Sequence, residues 1–193
     1  MADSGSGAEW LLKPALKLVP LDERRAAQEL ADVAAAAADE GLARLGKLLT
    51  ARGSSRDFLG AVFDLSPFLR DLARRRPQML DALFDRTVEE RLAAVVAEIA
   101  GSGVAEDLTE AALMASLRQR KTEAHFLIAL ADLAGEADTR LTVRRLSGLA
   151  DACIRAASDF LLRDAHRQGK LNLADPENPA KGSGWILLGM GKL

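Results

Sequence analysis

The sequence has 193 residues, 49% of them hydrophobic, 28% charged and 4% aromatic, with a formal net charge of −2. That length fits one domain, or one domain with an extension, and the charge balance lacks the basic excess of a nucleic-acid binder. Alanine (36) and leucine (33) dominate, tyrosine is absent, and Val, Ile and Thr are sparse, which favours helix and excludes a β-sandwich or barrel. The single cysteine, Cys153, excludes an internal disulfide and a cysteine-based zinc site and suits a reducing compartment. The first residues carry acids and no basic n-region, so no secretory signal is expected. The longest uncharged apolar run, Val33–Ala38, is far too short for a membrane span. A cytoplasmic protein with no nucleic-acid and no membrane partner is the expectation.

In chain order, Trp10, Leu11, Leu12, Leu16 and Leu18 make a short apolar lead-in limited by Pro14 and Pro20. Asp22 caps a helix through the alanine-rich stretch to about Ala38. Gly41 and Gly46 interrupt the pattern and Gly53-Ser54-Ser55 ends it. Ser66-Pro67 is a cap followed by proline at the first helical position, and Pro77 starts another short helix. Thr87 and Glu90 form a capping box ahead of Leu92, Val95, Val96 and Ile99. Asp107 to Glu110 opens a long helix with Leu113, Leu117, Phe126, Leu130 and Leu133 on its apolar face and Gly135 as its stop. Thr139 or Thr142 opens a second one, with Val143, Leu146, Leu149, Cys153, Ile154, Ala157, Phe160 and Leu161 recurring at three and four. Gly169 closes it. The two long helices are expected to pack antiparallel at the centre of a bundle.

The pattern changes after that. Residues 170–184 hold Pro, Asn, Asp and Gly and read as an exposed loop. Trp185-Ile186-Leu187-Leu188 is a short apolar run between glycines, which reads as a buried strand. A lone strand leaves its backbone groups unpaired, and nothing upstream offers a partner. The chain is therefore expected to be the front part of a longer protein. The organisation expected is a helical lead-in over 1–54, a helical bundle over 55–169, a loop over 170–184, and a first strand with its glycine turn over 185–193. The fold class is all-α, a helical bundle, with a single C-terminal strand that would begin an α/β core beyond the chain.

Gly189-Met190-Gly191-Lys192 is the most pointed chemical signal. Glycines after a strand let a backbone approach a phosphate closely; equally, a strand can simply end at such a turn. A Walker loop is excluded, because Leu193 follows the Gly-Lys pair and Ile186 stands where the first glycine belongs. The basic clusters Arg74-Arg75-Arg76, Arg118-Arg120-Lys121 and Arg144-Arg145 lie near Asp71, Glu123 and Asp138, the usual mixture of a solvated helix exterior. His125 and His166 have no second ligand at metal spacing and read as surface or helix-end residues. Cys153 falls on an apolar helix face and reads as a small buried hydrophobe.

The segment Gly184-Trp185-Ile186-Leu187-Leu188-Gly189-Met190-Gly191-Lys192-Leu193 resembles the entry to the nucleotidyltransferase core of glutamine synthetase adenylyltransferases, the bifunctional adenylylating and adenylyl-removing enzymes. Upstream, Ser66-Pro67-Phe68-Leu69 followed by Arg76-Pro77 is similar to that family's Ser-Pro-Phe-Leu helix and the turn after it. Leu117 to Lys121, running on through Ile128 to Leu133, resembles its long basic helix, and Leu146 to Ala152 the helix that follows. The likeness covers most of the chain from about residue 55.

The resemblance implies an enzyme that controls glutamine synthetase and thereby nitrogen assimilation. The N-terminal half, of which this chain would be the helical section, removes AMP from a tyrosine by phosphorolysis, releasing ADP; the other half attaches AMP from ATP. A PII-type signalling protein and glutamine set the balance. It implies Mg²⁺ and ATP, ADP or phosphate for the full-length enzyme, none of them expected bound to this chain. It places Gly189, Gly191 and Lys192 at the lip of the nucleotide site and no catalytic residue on the chain, so the 193 residues by themselves are expected to be inactive. The alternative is a free-standing helical interaction or regulatory scaffold without catalytic activity.

Overall fold

The computed structural model describes residues 9–103 and 108–188. Among them every regular element is helical: α1 (Glu23–Asp39), α2 (Ala43–Thr50), α3 (Ser54–Leu65), α4 (Pro67–Arg75), α5 (Gln78–Asp81) with a 3₁₀ turn (Ala82–Phe84), α6 (Val88–Gly101), α7 (Glu110–Ala134) and α8 (Thr139–Arg167). The caps come from the residues that sequence singled out. Asp22 accepts from the backbone N–H groups of Arg24 and Arg25 at 2.9 and 3.1 Å, and Ser66 from that of Leu69 at 3.3 Å. The Thr87 N–H donates to the Glu90 carboxylate at 2.8 Å, and the Glu90 N–H donates back to the Thr87 hydroxyl at 3.2 Å. Gly135, at φ +78°, ends α7. Gly46 departs from expectation: it lies inside α2, whose buried Leu45 and Leu49 hold that short helix to the core despite it.

The chain divides into two compact units, one running up to Arg91 with Phe126–Arg140 added, the other Leu92–His125 with the residues from Leu141 on. In the first, α1 packs on α2, α3 and α4, so residues before and after 54 share one core. Val33, Leu45, Leu59, Val62, Phe63 and Leu80 are fully buried there. A Cβ at Gly60 would come within 2.9 Å of the tip of the Leu30 side chain, so α1 and α3 cross closely there and a larger residue requires Leu30 to shift.

Residues 9–22 form no helix. They lie as a strap across the first unit, because Pro14 and Pro20 remove donors and deny the preceding residues helical geometry. The Trp10 indole N–H donates to the Leu80 carbonyl at 3.0 Å, and the Leu11 N–H to that of Leu83 at 2.8 Å. The Lys13 N–H reaches the Glu136 carboxylate at 2.9 Å, and the Ala15 N–H the Ala134 carbonyl at 2.8 Å. Trp10 and Leu12 are buried beneath.

In the second unit α6 contributes Val95 and Ile99, α7 Leu113 and Ala124, and α8 Leu149, Ala156 and Phe160 to a narrower core. Arg120 on α7 pairs with Glu98 on α6. The sequence pattern put Val143, Leu146, Ile154 and Leu161 on the core face of α8; the structure turns them outward, at 52%, 37%, 38% and 51% exposure. Leu149, Ala156 and Phe160 already fill the buried arc, and a helix cannot turn its full apolar circumference to one neighbour.

Candidate functional site

The three residues expected at the nucleotide lip, Gly189, Gly191 and Lys192, lie outside the described residues. The structure does describe the path to them. Gly169, at φ +69°, closes α8. The His166 Nδ1 atom lies 3.1 Å from the Leu171 carbonyl and 3.3 Å from the Leu173 N–H, so the histidine organises the turn after its helix. Arg163 holds the loop that follows: its guanidinium donates to the carbonyls of Pro176 at 3.1 Å, Glu177 at 3.3 Å and Gly103 at 3.3 Å. Asp175 accepts from the N–H groups of Glu177 and Asn178 at 3.1 and 3.2 Å and from the Asn178 side chain at 3.0 Å. Those bonds, the Asn178 side chain first, hold its carboxyl below the usual range. Gly182 and Gly184, both at φ +72°, make the final turns.

Beyond that loop, Trp185 to Leu188 run without helix, 57%, 78%, 51% and 82% exposed. Trp185 and Leu187 meet the side of α8 around a cavity of about 600 Å³, lined from the helix by Asp151, Ile154, Arg155 and Asp159 and from the loop by Lys181.

The basic clusters stay apart. The Arg75 Nε donates to the Asp71 carbonyl at 3.1 Å, Arg120 is taken by Glu98, and Arg144 is exposed. Cys153 is half-buried, and burial pushes its thiol up, as expected of an inert packing residue. His125 is half-buried too, with its pKa lowered by burial first and by Lys121 second. No three His, Cys, Asp or Glu side chains come together as a metal site among the described residues. No helix among them is long and apolar enough to cross a membrane.

Sequence reasoning missed two polar residues that organise the structure. Asp64, on α3, is buried; one oxygen accepts the N–H groups of Leu21 and Asp22 at 2.6 and 3.1 Å, and the other takes the Arg25 guanidinium. The arginine above all, then those amides, hold its carboxyl below the usual range against the opposing cost of burial. Arg44, on α2, bridges Asp81 at 2.9 Å and Asp85 at 2.7 Å and stacks 5.0 Å over the Phe84 ring. Neither has a sequence signal, since a lone charge on a helix is ordinarily solvated.

The model of the family described as "Glutamate-ammonia ligase adenylyltransferase" matches residues 57–193. The chain belongs to that family. Among curated relatives it is 69% identical over 185 residues to the bifunctional glutamine synthetase adenylyltransferase/adenylyl-removing enzyme of Mesorhizobium japonicum, covering 96% of this chain and 19% of that protein. It is 50% identical over 175 residues to the enzyme of the same name from Brucella suis, covering 91% and 18%, and 43% identical over 176 residues to that from Bartonella quintana, covering 91% and 18%. No solved structure matches. The chain thus spans about a fifth of these adenylyltransferase relatives, and the match includes the loop, the apolar run and the glycine segment.

Proposed function

We propose that the chain is a helical section of the adenylyl-removing half of an enzyme that controls glutamine synthetase by reversible adenylylation. The observation that carries this reading is the 69% identity, over nearly the whole chain, to a relative bearing both activities in its name. In this reading the anchored loop delivers residues 185–193 as the opening strand and glycine turn of a nucleotidyltransferase domain. Gly189, Gly191 and Lys192 sit at the lip of its nucleotide site, where glycine backbone allows close approach to phosphate and the lysine offers a point charge. The Mg²⁺ ligands belong to the polypeptide that follows in such enzymes. ATP, ADP and phosphate are the small-molecule substrates and products, a PII-type protein the regulator, and the cytoplasm the compartment. Phosphate oxygen attacks the phosphorus of the adenylyl group, the bond to the tyrosine oxygen breaks, ADP leaves and the tyrosine takes back its proton.

The test is phosphorolysis of adenylylated glutamine synthetase with Mg²⁺ and inorganic phosphate. The longer protein carrying this chain should release ADP in a phosphate-dependent reaction, and residues 1–193 by themselves should release none. ADP release by the 193-residue chain would refute the placement of the metal-binding acids outside it. Failure of the longer protein to act on glutamine synthetase would favour the helical scaffold instead.

A further inference from the structure

Helix α8 carries more apolar surface than its own unit covers. Of its buried residues, Leu149, Ala156 and Phe160 share one arc and Leu162 lies apart from it. Val143, Ala150, Ile154 and Leu161, spaced seven, four and seven residues apart, fall within about 40° of one another on a helix of 3.6 residues per turn, roughly a third of a turn from that arc. Val143, Ile154 and Leu161 are 52%, 38% and 51% exposed. A stripe this regular along several turns is the pattern of a packed face rather than of scattered surface leucines.

The stripe has a neighbour of the same character. Trp185 and Leu187 line one cavity with Ile154, and the flanking Ile186 and Leu188 are exposed as well. Asp151, Arg155 and Asp159 line the same cavity, so charged side chains stand beside the apolar ones there.

Two occupants of this face can be weighed, a second copy of the chain and another part of the same polypeptide. A stable association of separate molecules takes about 20–30 residues a side, far more than one helical stripe and a four-residue run supply. A contact this small suffices when a short tether makes docking intramolecular and raises the effective concentration to the millimolar range. The curated relatives are about five times the length of the matched chain, and Leu187, near the end of the described residues, lines the same cavity as Ile154 of the stripe.

We infer that the outward stripe of α8 and residues 185–188 together form an internal docking surface, covered in the longer protein by apolar surface of the polypeptide that follows residue 193. The inference rests on the reading of the chain as one section of a longer adenylyltransferase. Docking there clamps α8 and the entry to the glycine turn into one rigid piece, so that Gly189 and Gly191 start from a fixed point.

The test is thiol labelling of the longer protein with Cys153→Ala as background. Single substitutions Val143→Cys, Ile154→Cys and Leu161→Cys probe the stripe, and Arg144→Cys probes the polar side of the same helix. Labelled peptides are identified by mass. The stripe thiols should react at least about tenfold more slowly than the one at position 144, because labelling then requires local opening, and the difference should not change with protein concentration. Equal rates at all four positions overturn the inference. Protection that vanishes on dilution also overturns it, in favour of a second copy. Hydrogen exchange on the unsubstituted longer protein guards against a perturbing cysteine: amides of residues 150–161 and 185–188 should be protected, and rapid exchange at 185–188 counts against docking. Adenylyl removal is assayed on the same preparations. An active protein with unprotected stripe thiols sinks the docking surface and leaves the functional reading standing; an inactive protein with protected thiols does the reverse.

Discussion

Residues 9–91 with 126–140 close their own core, whereas α8 and residues 185–188 leave theirs half covered. In the first region the strap buries Trp10 and Leu12 and is held by bonds from the Trp10 indole to the Leu80 carbonyl and from the Leu11 N–H to the Leu83 carbonyl, and Asp64 and Arg44 tie its helices with paired charges. In the second, one face of α8 is buried and the adjacent face carries Val143, Ile154 and Leu161 into solvent. The two regions share a composition and differ in what it is used for. Self-contained burial stabilises the first; the second leaves part of its apolar surface exposed.

That contrast should be plainest in paired truncations within this chain. Phe63 is fully buried, so Phe63→Ala should cost about 3–5 kcal/mol. Leu161→Ala removes a side chain that is half exposed and should change stability by less than about 0.5 kcal/mol. Urea denaturation reads both; a large loss from Leu161→Ala would mean that the outward face of α8 is covered within these 193 residues.

A second way to break the contrast is to overpack the closed region. The Gly60→Ala Cβ would stand 2.9 Å from the tip of Leu30, and that side chain can give a little. Gly60→Val adds two branches to a helix crossing with no room and should cost about 1–3 kcal/mol, whereas Gly148→Ala on α8, with nothing within 4 Å of its Cβ, should be neutral or stabilising. A Gly60→Val protein as stable as its parent would show that α1 and α3 cross less tightly than described.

Most of the helical framework was legible in the residues. Caps and stops are local: Asp22, Ser66, Thr87 with Glu90, and Gly135 act through their own backbone neighbours, and each does what its type and spacing imply. The facing of α8 was not legible, because its apolar residues form one broad arc and the sequence does not say which part the local core takes. Asp64 and the strap were hidden for another reason. The bond from Asp64 to Leu21 joins residues 43 apart, and no local pattern marks a carboxylate that satisfies distant amides. The expected site, Gly189, Gly191 and Lys192, rests on a short motif alone; the family match extends across it, and the residues lie outside the described ones.

Asp64 offers a third test, confined to the strap. Its folded pKa lies below the ordinary 3.8, so the folded chain refuses a proton that the unfolded chain accepts. The stability it contributes is present above pH 3.8 and is lost as pH falls through its lower folded value. Asp64→Asn should therefore destabilise the chain at neutral pH and flatten its acid denaturation. It should do so more than Asp57→Asn, because the Asp57 side chain is 71% exposed and its pairing is screened by water. Equal effects would mean that the strap does not depend on the buried carboxylate.

The smallest effect expected belongs to His125 in the second region, and there too stability falls as pH falls. Burial first, and the nearby Lys121 second, lower its pKa from the ordinary 6.5. Above 6.5 the ring is neutral whether the chain is folded or not, and it contributes nothing to the pH dependence. As pH falls below 6.5 the unfolded chain takes up a proton that the folded chain resists, so stability declines until pH reaches the lower folded value and then levels off. Urea midpoints at about pH 7.5 and about pH 5.5, taken for the parent and for His125→Gln, isolate the contribution, because every other titrating group is common to both proteins. The parent should lose more stability than His125→Gln over that interval. Lys121→Ala should remove only the lesser part of the difference, since burial is the larger cause. A slope that vanishes altogether in Lys121→Ala would mean that charge rather than burial governs the ring, and that the space around His125 is wetter than the core of α6, α7 and α8 described above.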